Sequence, residues 1–201
     1  MDAKAMYKLS YGLFILTAKE GEKDNGCIVN TVAQVTTEPN RITVAVNKKN
    51  YTHGMIERTG VFNVSVLTEK SPFSAFRHWG FQSGADTDKS VGVTLSRAQN
   101  GVAYIADACN AYLSAKVVSS LDLGTHTLFI ADVTDAQALS SDASATYAFY
   151  QTHIKPAPAA APKKKGFVCS VCGYIYEGDV LPPDFVCPLC KHPASDFVPL
   201  A

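Results

Sequence analysis

Apolar residues along this chain come in short runs rich in Val, Ile, Thr and Phe, each closed by Gly, Pro, Asn or charged residues. Residues 13–17, 27–32, 42–46 and 61–66 have the β-branched character of strands, and 91–96, 102–105, 111–120 and 127–133 continue the series. Helical signals are few. Thr52 can cap a short helix running to Arg58, Ser71-Pro72 opens a second reaching Trp79 with the proline at its first helical position, and a third is expected over 143–151. Many strands and few helices predict a mainly β fold, an antiparallel barrel rather than a doubly wound sheet. No Gly-x-Gly-x-x-Gly and no Walker-type phosphate loop occurs, which argues against a Rossmann domain.

The pattern breaks at residues 155–165, Lys-Pro-Ala-Pro-Ala-Ala-Ala-Pro-Lys-Lys-Lys. Three prolines forbid a continuous helix, small residues offer nothing to bury, and the lysines keep the segment solvated. This reads as a linker able to reach on the order of 30 Å when extended at about 3.1 Å per residue. The expected organisation is a barrel over 1–154, a linker over 155–165 and a small domain over 166–201. That last unit is too small for a self-sufficient apolar core and needs a metal, helped by Tyr174, Tyr176, Phe185 and Phe197.

Composition narrows the function classes. The chain has 201 residues, 47% of them hydrophobic, with 18 basic and 18 acidic residues and a formal net charge of zero. Neutrality and the lack of a basic-aromatic pattern argue against nucleic acid, and the apolar runs are too short to span a membrane. The N-terminus lacks the apolar stretch of a signal peptide, and Cys27 and Cys109 read as two free thiols in a reducing cytoplasm, the alternative being a disulfide between them.

The small domain carries the strongest motif. Cys169 and Cys172, then Cys187 and Cys190, form two Cys-x-x-Cys pairs fourteen residues apart. Two such turns facing each other close a tetrahedral sulfur site. Spacing alone leaves iron and zinc open, and a zinc ribbon would fold the tail without redox chemistry. The surrounding residues, Cys-Ser-Val-Cys-Gly-Tyr-Ile-Tyr and Asp-Phe-Val-Cys-Pro-Leu-Cys-Lys, resemble rubredoxin, which implies one iron. The loop between the knuckles is shorter than in free-standing rubredoxins and is similar to the module attached to rubrerythrins. Lys191 stands where that family often has glycine. If the second knuckle needs a positive φ, Lys191 bears a strain that Gly173 avoids in the first.

In the barrel, residues 26–55 hold an Asn30-Thr31 pair, a Pro before the next run, and a polar turn Asn47-Lys48-Lys49-Asn50-Tyr51-Thr52 leading into a helix. Further on come Phe81-Gln82-Ser83-Gly84-Ala85-Asp86 and Gly124-Thr125-His126-Thr127. In order and spacing these resemble the flavin-reductase-like, FMN-binding split barrels. The resemblance implies that Asn30, Thr31, Val32 and Gln34 lie on a strand along the flavin ring and that Ser83 and Gly84 close over it. Asn47, Lys48, Asn50 and Thr52 would hold the phosphate, where a helix N-terminus favours an anion. It also puts His126 near the nicotinamide or flavin, the alternative being a structural histidine beside a strand. Trp79 and Cys27 read as packing.

A split barrel, a Pro/Lys linker and a rubredoxin together resemble the high-molecular-weight rubredoxin family. That resemblance implies a homodimer that oxidises NAD(P)H through FMN and passes electrons one at a time through the iron to a flavodiiron NO/O2 reductase. The length and solvation of the linker lead to the expectation of a metal domain that moves between the flavin and that acceptor. Two other readings stay open: a flavin or ferric reductase with an accessory rubredoxin, and a zinc-ribbon binding module fused to a flavin barrel.

Overall fold

The computed structural model describes residues 2–156 and 166–200, so 157–165 of the expected linker lie outside the described residues. Nine strands precede the linker: β1 (Phe14–Glu20), β2 (Lys23–Val29), β3 (Ala33–Thr37), β4 (Asn40–Asn47), β5 (Val61–Leu67), β6 (Ser96–Arg97), β7 (Ala103–Tyr104), β8 (Cys109–Asp122) and β9 (His126–Ala138). Seven of them form one antiparallel sheet in the order β2-β1-β5-β8-β9-β4-β3, with β6 and β7 paired separately. Helix α1 (Tyr51–Thr59) links β4 to β5, α2 (Phe73–Gly80) follows β5, and a short α3 (Tyr147–Phe149) runs into a π turn over Tyr150–Ile154. The fold is mainly β, as the apolar pattern predicts.

Strand β1 explains the layering. Ile15, Leu16, Thr17 and Ala18 are all buried because alternate side chains feed two cores on opposite faces of the sheet. Leu16 and Ala18 join Val44, Val46, Met55, Ile56, Phe62 and Phe129 in the core shared with α1. Leu13 and Ile15 join Leu67, Phe76, Trp79 and Tyr150 in the core under α2.

Several boundaries depart from the expectations, each for a local reason. β2 covers Lys23–Val29 rather than 27–32, because the β1 hairpin turns at Gly21 (φ 58°) and pairs Glu20 with Lys23. The polar residues Lys23, Asp24 and Asn25 hide that first half from an apolar count. Asn30, Thr31 and Val32 therefore fall in the connection to β3, a strand exposed at every position and invisible to hydrophobic patterning. The N-cap of α1 is Asn50, whose side chain accepts from Thr52 N–H at 3.1 Å; Thr52 lies inside the helix. Pro72 is the N-cap of α2 rather than its first residue. Residues 91–93 turn around Gly92 (φ 77°) and 94–95 are irregular, so the expected strand is reduced to its last residue, Ser96 of β6. Residues 143–146 run extended, bridging Thr68 through Ser144 and Gly12 through Thr146, so the last helix starts only at Tyr147.

After the linker, β10 (Gly166–Cys169), β11 (Ile175–Glu177) and β12 (Phe197–Pro199) form a three-stranded sheet with β10 central. Its core is aromatic: Phe185 contacts Tyr176 and Phe197 edge-on with ring centroids 4.8 and 5.3 Å apart. No helix among the described residues is long and apolar enough to cross a membrane.

Candidate functional site

Two backbone turns of one design build the sulfur cluster. In the first, Gly173 N–H donates to Cys169 O at 2.9 Å and Cys169 N–H to Tyr174 O at 2.8 Å. In the second, Lys191 N–H donates to Cys187 O at 2.9 Å and Cys187 N–H to His192 O at 2.8 Å. Both turns need a left-handed residue at the same place, Gly173 at φ 78° and Lys191 at φ 61°. Lys191 thus carries the strain expected of it.

The turns bring the four sulfurs within 4.8 Å of one another. Cys169 Sγ is 3.6 Å from Cys190 Sγ, and Cys172 Sγ is 3.5 Å from Cys187 Sγ. A tetrahedral ion with metal–sulfur bonds of about 2.3 Å needs sulfur–sulfur edges of about 3.8 Å, so the cluster is preformed for a metal. Burial pushes the Cys172 thiol up to about 11, so four thiolates there require a cation to balance them.

A cavity of about 540 Å³ lies beside this cluster, and both parts of the chain line it. The barrel supplies Cys27 and Ile28 of β2, the Asn47–Tyr51 turn, Trp79 and Gly80 at the end of α2, Gln82, Ser83, Lys89, Gly124 and Thr125. The second metal knuckle supplies residues 189–193, with Cys190 among them. Four lysines, Lys48, Lys49, Lys89 and Lys191, line the cavity and no Asp or Glu does. Such a wall favours an anion.

Of the residues expected around a flavin, Asn47, Lys48, Asn50 and Ser83 line this cavity. Thr52 sits beneath it, fully buried, and accepts from Asn25 Nδ2 at 2.8 Å. Gly84 packs over Asn25: a Cβ there would meet Asn25 Oδ1 at 2.1 Å. His126 pairs with Asn47 across β4 and β9, and its Nδ1 lies 2.8 Å from Thr125 Oγ1. It is not part of the lining. Asn30, Thr31, Val32 and Gln34 are elsewhere. Thr31 bridges to β4 by donating to Ala45 O at 2.7 Å, and Gln34 is exposed and donates to Asn40 Oδ1 at 3.0 Å. Lys48 Nζ is 2.6 Å from Asp122 Oδ1, an ion pair that already balances its charge.

Three further residues shape the site and escaped the sequence reading. Lys89 is 2% exposed and donates to Gly26 O and Trp79 O, both at 2.9 Å, which fixes its ammonium between β2 and α2. Burial pulls its pKa down to about 8. Asn25 is buried with Oδ1 unpartnered. His53 is 5% exposed with Nε2 2.8 Å from Thr127 Oγ1, and desolvation lowers its pKa, so it is neutral at pH 7. Trp79 is both core and cavity wall, and burial raises the Cys27 thiol, which stays protonated.

Comparison with known proteins matches residues 6–158 to the "Flavin reductase like domain" family and residues 167–198 to the "Rubrerythrin, rubredoxin-like domain". The chain is 38% identical to a high molecular weight rubredoxin of Moorella thermoacetica, over 94% of this chain and 96% of that one. It is 39% identical to a ferric-chelate reductase (NAD(P)H) of Archaeoglobus fulgidus, over 75% of this chain and 89% of that protein. A putative diflavin flavoprotein of Nostoc sp. is 30% identical over 69% of this chain, which spans only 25% of that protein.

Proposed function

This chain belongs to the flavin reductase-like family, in the high-molecular-weight-rubredoxin arrangement with a rubredoxin-like domain at its C-terminal end, and from that premise we propose that it oxidises NAD(P)H through FMN and delivers electrons singly through an iron. When bound, the flavin takes two electrons from a reduced nicotinamide and releases them one by one, and a tetrathiolate iron carries one at a time. The observation that carries the reading is the shared cavity, in which the flavin-side turn and the second metal knuckle face the same space.

The residues present suit both groups. Four sulfurs at tetrahedral spacing suit iron, held by Cys169, Cys172, Cys187 and Cys190. On the flavin side, the Lys48, Lys49 and Asn50 N–H groups already donate to Thr125 O, Asn47 Oδ1 and Asn47 O, so the Asn47–Tyr51 turn contributes the positive end of α1 and the charge of its lysines, joined by Lys89, while Trp79 gives a flat apolar wall. Asn50 holds the first turn of α1 in shape, and Thr52 holds Asn25. Ser83 lines the cavity, and the absence of a side chain at the neighbouring Gly84 leaves room for Asn25. Asn30, Thr31 and Val32 in the connection to β3, and Gln34 in β3, remain the residues proposed along the flavin ring, and His126, the strand partner of Asn47, remains proposed near the nicotinamide or flavin.

For the acceptor we propose a flavodiiron protein that reduces nitric oxide or oxygen. Support comes from the likeness to a putative diflavin flavoprotein of Nostoc sp., of which this chain matches a quarter. A second reading, reduction of ferric chelates directly from the flavin, is favoured by the Archaeoglobus relative, whose match covers 75% of this chain. We further propose a homodimer, with Val118, Leu121 and Leu123, exposed at the outer end of β8 and the turn after it, as part of the contact.

Anaerobic titration with NADH or NADPH tests the main reading. Because electrons run from flavin to iron, iron-replete protein should bleach its red ferric-thiolate band first, two irons per nicotinamide, and its flavin band next, one further nicotinamide per flavin. Cys190→Ser should lose the red band and keep flavin reduction. Stoichiometric zinc in iron-replete protein, or an iron band untouched by nicotinamide, overturns the electron path. Ferric-chelate reduction at an undiminished rate in Cys190→Ser would favour the second reading.

A further inference from the structure

The positive charge around the cavity is unevenly available. Lys48 is paired with Asp122, which also accepts Gly124 N–H at 2.7 Å. Lys89 spends two of its three donors on backbone carbonyls. Lys49 and Lys191 are the two lining lysines whose ammonium makes neither an ion pair nor a hydrogen bond among the described residues. Lys49 belongs to the barrel turn, whereas Lys191 comes from the metal domain and enters the cavity wall from the opposite side.

Lys191 is also held where its backbone is unfavourable. It has φ 61° in a turn whose twin in the first knuckle uses Gly173, and a non-glycine residue in that region is strained. The strain accompanies a long cationic side chain at the boundary between two anionic sites. A flavin phosphate is a dianion. Four thiolates around ferric iron leave a net charge of minus one, and minus two after reduction. Without a cation between them, a metal domain bearing Cys190 in the cavity wall would be repelled by the phosphate it faces.

We propose that Lys191 is a phosphate ligand contributed by the metal domain, so that one bound FMN ties the two domains together. This rests on the FMN reading given above. Docking of the metal domain and binding of FMN then support each other, and by linkage each strengthens the other equally. Loss of flavin frees the metal domain, and apoprotein holds its second knuckle less firmly than flavin-loaded protein does.

The test compares FMN with riboflavin, which has the same ring and no phosphate, by flavin fluorescence titration of full-length, iron-loaded protein. Lys191→Gly and Lys191→Asn both suit a positive φ, so the knuckle should fold and the ferric band should stay. Each should weaken FMN binding about tenfold, the loss of one charge-assisted contact, while riboflavin binding is unchanged and Lys191→Arg keeps most of the FMN affinity. Unchanged FMN binding in the Gly and Asn variants, with wild type still preferring FMN to riboflavin, overturns the role of Lys191 and leaves the phosphate site standing. Equal weakening of both flavins means that Lys191 acts on the ring or on docking alone, and also overturns it. Equal affinity of wild type for FMN and riboflavin sinks the phosphate reading itself.

Discussion

Lys89 shows how one side chain sets the chemistry of a wall. Its ammonium is buried and bonded to Gly26 O and Trp79 O, and burial lowers its pKa from 10.5 to about 8. A base with a lowered folded-state pKa is less protonated in the folded protein than in the unfolded chain. Between about pH 8 and pH 10.5 the unfolded state therefore binds more protons, and stability rises with pH through that window. Flavin-free wild type should gain on the order of 3 kcal/mol there from this group, at about 1.4 kcal/mol per pKa unit. Urea unfolding at pH 7.5 and 10 should show that gain in wild type and not in Lys89→Met; equal pH dependence in the two would place the titrating group elsewhere. A bound anion works the other way by holding Lys89 protonated. FMN affinity should accordingly fall as pH rises above about 8, and a flat profile to pH 10 would remove Lys89 from the site's electrostatics.

At the scale of elements, the site exists because β2 and α2 pack closer than side chains usually allow. A Cβ on Gly26 would meet the Trp79 ring at 2.9 Å and Leu16 O at 3.0 Å, and one on Gly80 would meet Ile28 at 3.3 Å. Gly26→Ala must push Trp79 into the cavity or lift α2. It should cost about 1–3 kcal/mol in urea stability and weaken flavin binding by fluorescence titration. Full stability with unchanged binding would mean that the Trp79 wall moves freely. Gly84→Ala drives Asn25 off Thr52 instead and should act mainly on the flavin side. These contacts join residues far apart in the chain, which is why they were illegible in the sequence. The paired Cys-x-x-Cys turns were legible because one local motif writes each turn and the backbone bonds follow from it. The apolar strands β1, β4, β5, β8 and β9 were legible for the same local reason. Strand β3 was not, since an edge strand exposed at every position carries no hydrophobic alternation. Lys89 was not either: in Asp-Thr-Asp-Lys-Ser it reads as a solvated loop, and only the approach of β2 and α2 buries it. Residues 27–32 were expected as one strand, whereas β2 ends at Val29 and leaves Asn30, Thr31 and Val32 in the connection to β3, which holds Gln34.

Across the whole molecule the question is whether the metal centre waits at the flavin or searches for it. The second knuckle lines the cavity beside the Asn47–Tyr51 turn, and Lys155, the first residue of the linker, donates from Nζ to Ser170 O at 3.0 Å, contacts that favour a docked arrangement. A docked centre needs the linker only for reach. Its reduction should be unimolecular, independent of protein concentration, and little changed when the linker is lengthened. A tethered search behaves differently: effective concentration falls roughly as the −3/2 power of length, so doubling the linker would slow transfer about threefold. Deleting residues 156–165 removes the reach in either case. Stopped-flow mixing with reduced nicotinamide should therefore show three results together. Flavin reduction stays at the wild-type rate in every variant, iron reduction keeps its rate in a chain with a ten-residue Pro/Ala insertion, and iron reduction slows at least tenfold when 156–165 are removed. A threefold slowing on insertion would establish a searching domain, with the docked arrangement as one stop on its path. Wild-type iron reduction after the deletion would show that electrons reach the metal domain of a partner chain, and would make the dimer rather than the single chain the unit of transfer.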